Sequence, residues 1–583
     1  MEESATAYTV LLAAICGFFF LVATVRHYAA STPLPAESWL LLAGIAYGLA
    51  APRVAALPAA ELNPQLVVMV LLPVLVFAGA RRLPVTLLLP IMSPVALLVL
   101  VGTPLTMLAI GLSTAWLFGF PYEAGLLFGA AVATIDPAAV SRVLDRYAIP
   151  ERLKLLLHAE SIFGDAIAIV AFIAMAAAIV AHAELSIGTV FVTAVRGALL
   201  AVPVGLLLGW TAALLVRHWH EENRVPGLTL TLILPFAGYL LSERLLHASG
   251  IIAVLCAALA FRHTRRVDAS ERPELYDQIW TYFGSLSASI LYFALGAAIA
   301  AQTFVLDWRL PTVILALLLS RAALAYGSGW LLRARGRPLP RAWRHVIMLG
   351  GMRGAVPAAL ILMMPTDYPY RSELLALVFV LVGYTLIAHP LLLSAYLQRH
   401  RISALTGSAE GEHDLTRDTL SAASPGLARR LQSCAWGIAA TAGVAAGTVF
   451  ILLEMTLVPL LQGASPWAPV RMIAAIGMGP AVLPPPAIFA GDVLLVAMVV
   501  HYTLSLVYAW LLAPLIEGMG WVKATLSGAV FGLGLYLINF YVFTAMFPWF
   551  AQARTGVTIF AHLVFGAVLA ATYISRKPQN MKP

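Results

Sequence analysis

The sequence predicts an all-α protein that crosses a membrane many times. Of its 583 residues, 61% are hydrophobic and only 11% are charged, whereas about 25% of the residues in soluble domains are charged. Apolar runs of about 20 residues, long enough to cross a bilayer as a helix, recur along most of the chain. A membrane β-barrel would instead show short segments of alternating polarity. The pattern therefore indicates a helical, polytopic protein within a lipid bilayer.

The charge and cysteine content exclude several other classes. The net charge is +8, but the basic residues cluster in short loops between apolar runs, which is typical of membrane topology and does not call for a nucleic-acid partner. Cys16, Cys256 and Cys434 are too far apart for a metal motif or a disulfide framework. The first residues, MEESATAYTV, are acidic and lack the basic region of a signal peptide. We therefore expect the first apolar run to be a retained helix.

Thirteen helices are predicted in the first part of the chain. A kink is expected in the fourth, at the VGTPLT segment around Pro104. The predicted spans are 8–25, 37–51, 64–80, 87–118, 122–144, 152–181, 188–216, 226–243, 250–261, 276–300, 310–332, 343–364 and 372–397.

The basic residues of the loops support this helix count and give an orientation. Every second loop, beginning with the one after the first helix, belongs to a set that holds 18 Arg and Lys residues, while the intervening loops hold 4. Cytoplasmic loops are the ones enriched in Arg and Lys. We therefore expect a cell-membrane protein with its N-terminus outside and the chain from Arg399 onward in the cytoplasm.

Composition also predicts the domain organisation. Residues 1–405 form the first membrane domain, and the polar, Ser/Gly-rich residues 406–430 form a cytoplasmic linker. Residues 431–583 form a second membrane module of unassigned role, with an irregular or re-entrant PAVLPPPAIFAGD segment. Its four apolar runs lie at 431–456, 489–513, 521–544 and 556–574.

Two carboxylates lie within the predicted helix 152–181, in the segment HAESIFGDAIAIV. Asp165 lies roughly 17–20 Å along the helix from its basic end, near the middle of a bilayer core about 30 Å thick. Ser161, four residues earlier, shares its face. A carboxylate at this depth usually faces a cavity, a partner or an ion pathway, although it can also serve only to hold helices together. Glu160 fits the second role, as a member of a structural ion pair.

A second deep carboxylate, Asp136, precedes a proline in GAAVATIDPAAVSRVL. Pro137 removes a backbone donor and disfavours helix at the residue before it. We therefore expect an unwound segment with carbonyl groups near Thr134 and Ile135 available to an ion. Capping of the half-helix that begins at Pro137 is an alternative, compatible role for Asp136.

Two arginines are also predicted to be deep. Arg353 lies in MLGGMRGAVPAALIL, and a buried arginine needs an anion, for which Glu160 is a candidate. Arg321, in LLLSRAALAYG, competes for the same carboxylates.

The segments ATIDPAAV, AESIFGDAIAIV and GGMRGAVPAAL occur in one order on three predicted helices. Together they resemble the signature segments of NhaP/NHE-type monovalent cation:proton antiporters, over about residues 8–400. The resemblance implies thirteen helices, a homodimer formed through a scaffold, and a six-helix core with two crossing, unwound helices. It implies monovalent cations and protons as substrates, with no cofactor.

The same resemblance implies roles for individual residues. The cation and the proton bind at Asp165, with Ser161 and the backbone near Thr134. Asp136 supports this site, and Glu160 pairs with an arginine matching Arg353.

Two positions depart from the family pattern. Gly164 stands where the family usually has asparagine before the aspartate, and Ala78 stands where it has a glutamate. Two polar groups are therefore missing, which suggests weaker binding or a larger, less hydrated ion such as K⁺.

The leading hypothesis is electroneutral exchange of one cation for one proton at Asp165. A transport-dead sensor or scaffold is the alternative suggested by Gly164 and Ala78. An enzyme is the third reading, but no zinc, nucleophile or nucleotide motif supports it. The tail also holds polar residues that form either a proton-sensing or ligand site or interhelical hydrogen bonds: Glu454, His501, Asn539 and His562.

Overall fold

A computed structural model describes residues 2–51, 64–88, 91–147, 149–181, 187–218, 225–265, 274–300, 309–334, 339–399 and 434–577. Within this part of the chain, twelve helices are long and apolar enough to cross a membrane, and five are shorter and apolar. The prediction of a helical membrane protein is therefore confirmed. Residues 406–430, the predicted linker, lie outside the described residues.

The helices of the first part follow the predicted spans closely. They are α1 (Glu2–Ala29), α2 (Ala36–Ala50), α3 (Pro64–Ala80), α4 (Met92–Phe118), α5 (Tyr122–Ala133), α6 (Pro137–Leu144), α7 (Glu151–Val180), α8 (Ile187–His218), α9 (Val225–Leu245), α10 (Gly250–Arg265), α11 (Glu274–Ala300), α12 (Arg309–Ala334), α13 (Arg341–Leu349), α14 (Val356–Leu362) and α15 (Arg371–Arg399).

The helices of the tail are α16 (Trp436–Gln462), α17 (Ala468–Met478), α18 (Gly491–Ile516), α19 (Trp521–Val542) and α20 (Gly556–Arg576). Four match the predicted runs. The short helix α17 was not predicted, because its eleven residues are too few to stand out as a membrane run.

Two compact units make up the chain: Met1–Ala194 with Ser270–Asp414, and Val195–Ala269 with Leu415–Pro583. The second unit thus combines the tail with most of α8, with α9 and with α10. Arg196 of α8 links the two stretches, because it donates to the Ile476 carbonyl at 3.2 Å. The division at residues 405 and 430 follows the sequence and stays a prediction.

In the first unit, α4 and α5 pack with their backbones in close approach. A Cβ on Gly111 would lie 2.8 Å from the Gly125 carbonyl oxygen, so only glycine allows this contact. In α4, residues Leu98–Gly102 form a π-helical turn just before Pro104, which accommodates the missing N–H of the proline. This packing holds the end of α5 in place, and the candidate site begins there.

Candidate functional site

Two of the predicted helices are broken in the middle. Helix α5 ends at Ala133 and α6 begins at Pro137, while α13 ends at Leu349 and α14 begins at Val356. The Asp136 backbone N–H donates to the Met352 carbonyl at 2.9 Å, which links the two breaks. The predicted unwinding before Pro137 is therefore confirmed. The second break follows from Gly350, Gly351 and Gly354, which weaken a helix because glycine loses most conformational freedom in it.

Arg353 binds one broken helix to the other. Its guanidinium donates through Nη1 to the carbonyl oxygens of Ala133, at 2.6 Å, and Thr134, at 2.8 Å. Its own backbone N–H donates to Thr385 Oγ1 at 3.1 Å. A fixed cation at the end of α5 stabilises the partial negative charge of the helix C-terminus. Arg353 thus occupies carbonyl groups that the sequence suggested were available to an ion.

Asp165 and Ser161 both bind the backbone of Ile135, the residue between Thr134 and Asp136. Asp165 Oδ1 accepts from the Ile135 backbone N–H at 2.9 Å, and Ser161 Oγ donates to the Ile135 carbonyl at 2.5 Å. Asp165 is 8% exposed and Ser161 1%. Thr134 turns its hydroxyl back to the Ala131 carbonyl at 3.1 Å. The structure therefore brings Asp165, Ser161, Asp136 and Thr134 to one place, as the sequence suggested.

The predicted pairing of Glu160 with Arg353 is wrong. Glu160 forms a buried ion pair with Arg321 of α12. Arg321 Nη1 donates to Glu160 Oε1, and Arg321 Nη2 donates to Glu160 Oε2 at 3.1 Å. Arg321 Nε donates to the Ile347 carbonyl at 3.0 Å. The reason is that α12 presents its arginine to this face of α7, while the guanidinium of Arg353 is bound at the end of α5.

A cavity of about 440 Å³ reaches Asp165. Asp136, Asp165 and His158 line it together with residues of α3 and α11. Its lining includes charged side chains at helix ends next to the loops that the charge pattern assigns to the cytoplasm: Arg26, Arg82, Arg142 and Asp145. One cavity is therefore lined both by Asp165 and by these charged side chains.

The two departures from the family pattern lie next to this cavity or on it. A Cβ on Gly164 would lie 3.2 Å from Thr103 Oγ1, so the space beside residue 164 is already limited by α4. Ala78 lines the cavity, and its Cβ would lie 2.8 Å from a Cβ on Gly284 of α11. A side chain at position 164 would therefore require Thr103 to shift slightly, whereas Ala78 borders the space of the cavity.

Sequence reasoning missed two residues of the site, Tyr292 and Thr385. The Tyr292 hydroxyl donates to Asp136 Oδ2, and Thr385 accepts from the Arg353 backbone. A tyrosine or threonine in an apolar run carries no signal that separates it from ordinary membrane-helix composition, so only the fold identifies these contacts.

Of the four polar residues of the tail, His501 and Asn539 form interhelical contacts in the second unit. His501 Nε2 lies 2.8 Å from the Gly447 carbonyl, and Tyr508 donates to Asn539 Oδ1 at 2.9 Å. His562 contacts its own helix through the Thr558 carbonyl at 2.8 Å. These bonds supply the hydrogen-bonding alternative that the sequence left open.

Two broken helices whose breaks are bonded to each other beside a buried carboxylate are typical of ion transporters. The chain belongs to the family described as "Sodium/hydrogen exchanger, transmembrane", whose model matches residues 10–399. This match bears out the resemblance seen in the three sequence motifs.

Several relatives carry antiporter names. The chain is similar to the Na(+)/H(+) antiporter NhaG of Bacillus atrophaeus, with 28% identity over 57% of this chain and 63% of that protein. It is similar to the antiporter ApNhaP of Aphanothece halophytica, with 27% identity over 58% of this chain and 65% of that protein. The matched part thus spans less than two thirds of these two relatives.

A solved structure shares the fold. The sodium proton antiporter MjNhaP1 from Methanocaldococcus jannaschii matches 68% of this chain and 98% of its own, with 23% identity and a TM-score of 0.54. The antiporter fold is therefore confirmed. The count of thirteen helices stays a prediction. Two of the predicted spans are each divided into two helices in the structure, 122–144 into α5 and α6, and 343–364 into α13 and α14.

Proposed function

We propose that the chain exchanges a monovalent cation, Na⁺ or K⁺, for protons at Asp165, with one cation replacing one proton. The observation that carries the proposal is a carboxylate that lines a cavity and accepts from the backbone in the break of a helix, where a second broken helix is bonded to the first. The family and the printed names of its relatives support it.

Competition at one carboxylate explains exchange without another energy source. Asp165 holds either a proton or a cation, and the two fluxes are coupled because the site changes sides only when one of them is bound. Movement of the broken helices relative to α2 and α11 then exposes the site to each side in turn. Because one positive charge replaces another, the exchange carries no net charge.

The assay is dissipation of a pH gradient in vesicles that contain the purified protein. We expect addition of Na⁺, K⁺ or Li⁺ to move protons, with the preferred ion showing the lowest half-saturating concentration. No response to any of the three ions, from protein that is folded, would favour the sensor or scaffold suggested by Gly164 and Ala78.

Ser161→Ala tests the contribution of the serine hydroxyl that binds the backbone of the site. The substitution removes the bond to the Ile135 carbonyl, so the backbone opposite Asp165 loses one of its two side-chain anchors. We expect the half-saturating cation concentration to rise roughly fivefold, since a hydrogen bond of this kind contributes on the order of 1 kcal/mol. Thr106→Ala, a buried hydroxyl on α4, is the control; equal effects of the two variants would contradict the prediction.

The family resemblance and the loop charges support three further proposals. The protein lies in the cell membrane with its N-terminus outside, forms a homodimer, and catalyses no chemical reaction. Accessibility of single cysteines placed in opposite loops tests the orientation, and cross-linking in the membrane tests the dimer.

A further inference from the structure

Tyr292 reaches the site from the other side of the cavity. It belongs to α11, is 2% exposed and donates its hydroxyl to Asp136 Oδ2. Helix α11 packs against α2 and α3, whereas Asp136 lies in the break between α5 and α6. The bond therefore joins two groups of helices that face each other across the cavity.

The space for this hydroxyl exists because residue 354 is glycine. A Cβ on Gly354 would lie 3.1 Å from Tyr292 Oη and 3.2 Å from the Cβ of Asp136. Tyr292 thus enters between the two breaks, beside Asp136 from the first and Gly354 from the second. All three residues line the cavity that reaches Asp165.

Helix α6 is held to the same opposing helices at a second point. Arg142 forms an ion pair with Glu37 of α2 at 3.0 Å and lies 3.3 Å from Ser285 Oγ of α11. Of the two connections, the one made by Tyr292 is adjacent to Asp165, since Asp136 follows Ile135 and Ile135 bonds to Asp165.

We propose that Tyr292 is a positioning residue of the cation site. Its hydroxyl fixes the orientation of the Asp136 carboxylate and, through it, the backbone of residues 134–136 that faces Asp165. This deepens the proposed exchange function and rests on it. Without the hydroxyl, the Asp136 carboxylate loses a donor and turns, so a cation at Asp165 meets a less ordered surrounding.

Tyr292→Phe keeps the ring and removes the hydroxyl. We expect the apparent KM for the cation to rise about tenfold, as for a lost hydrogen bond to a charged group. Vmax should not fall, because the bond between Tyr292 and Asp136 has to break in any case when the broken helices move relative to α11. Tyr282→Phe, on the same helix but 58% exposed, is the matched control and should leave both parameters unchanged. An unchanged KM in Tyr292→Phe, or a fall in Vmax alone, would overturn the proposal.

Gly354→Ala provides a second, independent variant. Its Cβ would meet the Tyr292 hydroxyl, so KM should rise in the same direction. Added to Tyr292→Phe, the alanine should cost less than it does in the wild type, because the hydroxyl it displaces is gone. Strictly additive effects would count against the contact.

The proposed function can fail separately from this inference. If the wild type moves no protons in response to Na⁺, K⁺ or Li⁺, the exchange proposal is wrong. The role of Tyr292 is then tested by measuring how the unfolding temperature of the purified protein rises with the concentration of these ions. Tyr292→Phe should need about tenfold more cation for half the effect; an equal requirement would overturn the positioning role.

Discussion

Replacing Asp165 by asparagine is expected to abolish cation-driven proton movement in reconstituted vesicles. Asparagine keeps the size of the side chain and an oxygen that can accept from the Ile135 N–H. It can neither release a proton nor offer a negative charge to a cation. The rate of proton movement should therefore fall by at least about a hundredfold, to the background of empty vesicles. Each tenfold fall in rate corresponds to about 1.4 kcal/mol of lost transition-state stabilisation.

A matched control separates loss of the site from loss of the protein. Asp367→Asn removes an exposed carboxylate in the loop between α14 and α15 and should transport at the wild-type rate. Asp165→Asn should also unfold at a temperature no lower than the wild type, because it removes a buried charge. Wild-type flux from Asp165→Asn would refute Asp165 as the shared site.

The second large effect concerns stability, at the ion pair between Glu160 and Arg321. Both residues are 3% exposed, so removing either partner leaves the other charge buried and uncompensated. We expect Glu160→Gln or Arg321→Gln to lower the free energy of unfolding by roughly 3–5 kcal/mol. Reversible unfolding in detergent micelles measures this change, and the double variant should lose less than the sum of the single losses.

The same measurement decides which arginine is the partner. A double-mutant cycle with Glu160→Gln and Arg353→Gln should show a coupling energy well below the one measured for Glu160 with Arg321. The reason is that Arg353 binds the Ala133 and Thr134 carbonyls. Asp145→Asn provides a reference, since its pair with Lys154 is 64% exposed on the aspartate side and should contribute at most about 1 kcal/mol. A larger coupling with Arg353 would contradict the observed pairing.

The sequence predicted the helices well, because they depend on distance along the chain, whereas the bilayer depth of the two carboxylates stays a prediction. Apolar length sets where a helix crosses, and a rise of about 1.5 Å per residue converts position into depth. The break before Pro137 was predictable for a similar reason: the proline acts on its own neighbours. Such features need no knowledge of the rest of the fold.

The partner of Glu160 was not predictable in this way. Arg321 and Arg353 are both buried, and choosing between them requires the rotation of α12 about its axis and the path of the chain between α13 and α14. That rotation is set by packing with neighbouring helices and leaves no trace in the spacing of either motif. Tyr292 was missed for the same reason, since its importance comes only from lying opposite Asp136.

The bonds between the two breaks have a thermodynamic consequence for ion binding. Arg353 and the Met352 carbonyl together hold three successive groups of the first break: the Ala133 and Thr134 carbonyls and the Asp136 N–H. Ordering one residue of backbone costs about 1–2 kcal/mol in entropy. Here that ordering is completed when the protein folds. On the proposed function, an ion that arrives at Asp165 therefore finds a rigid receptor, and its affinity is set by dehydration and electrostatic attraction with little entropy left to lose.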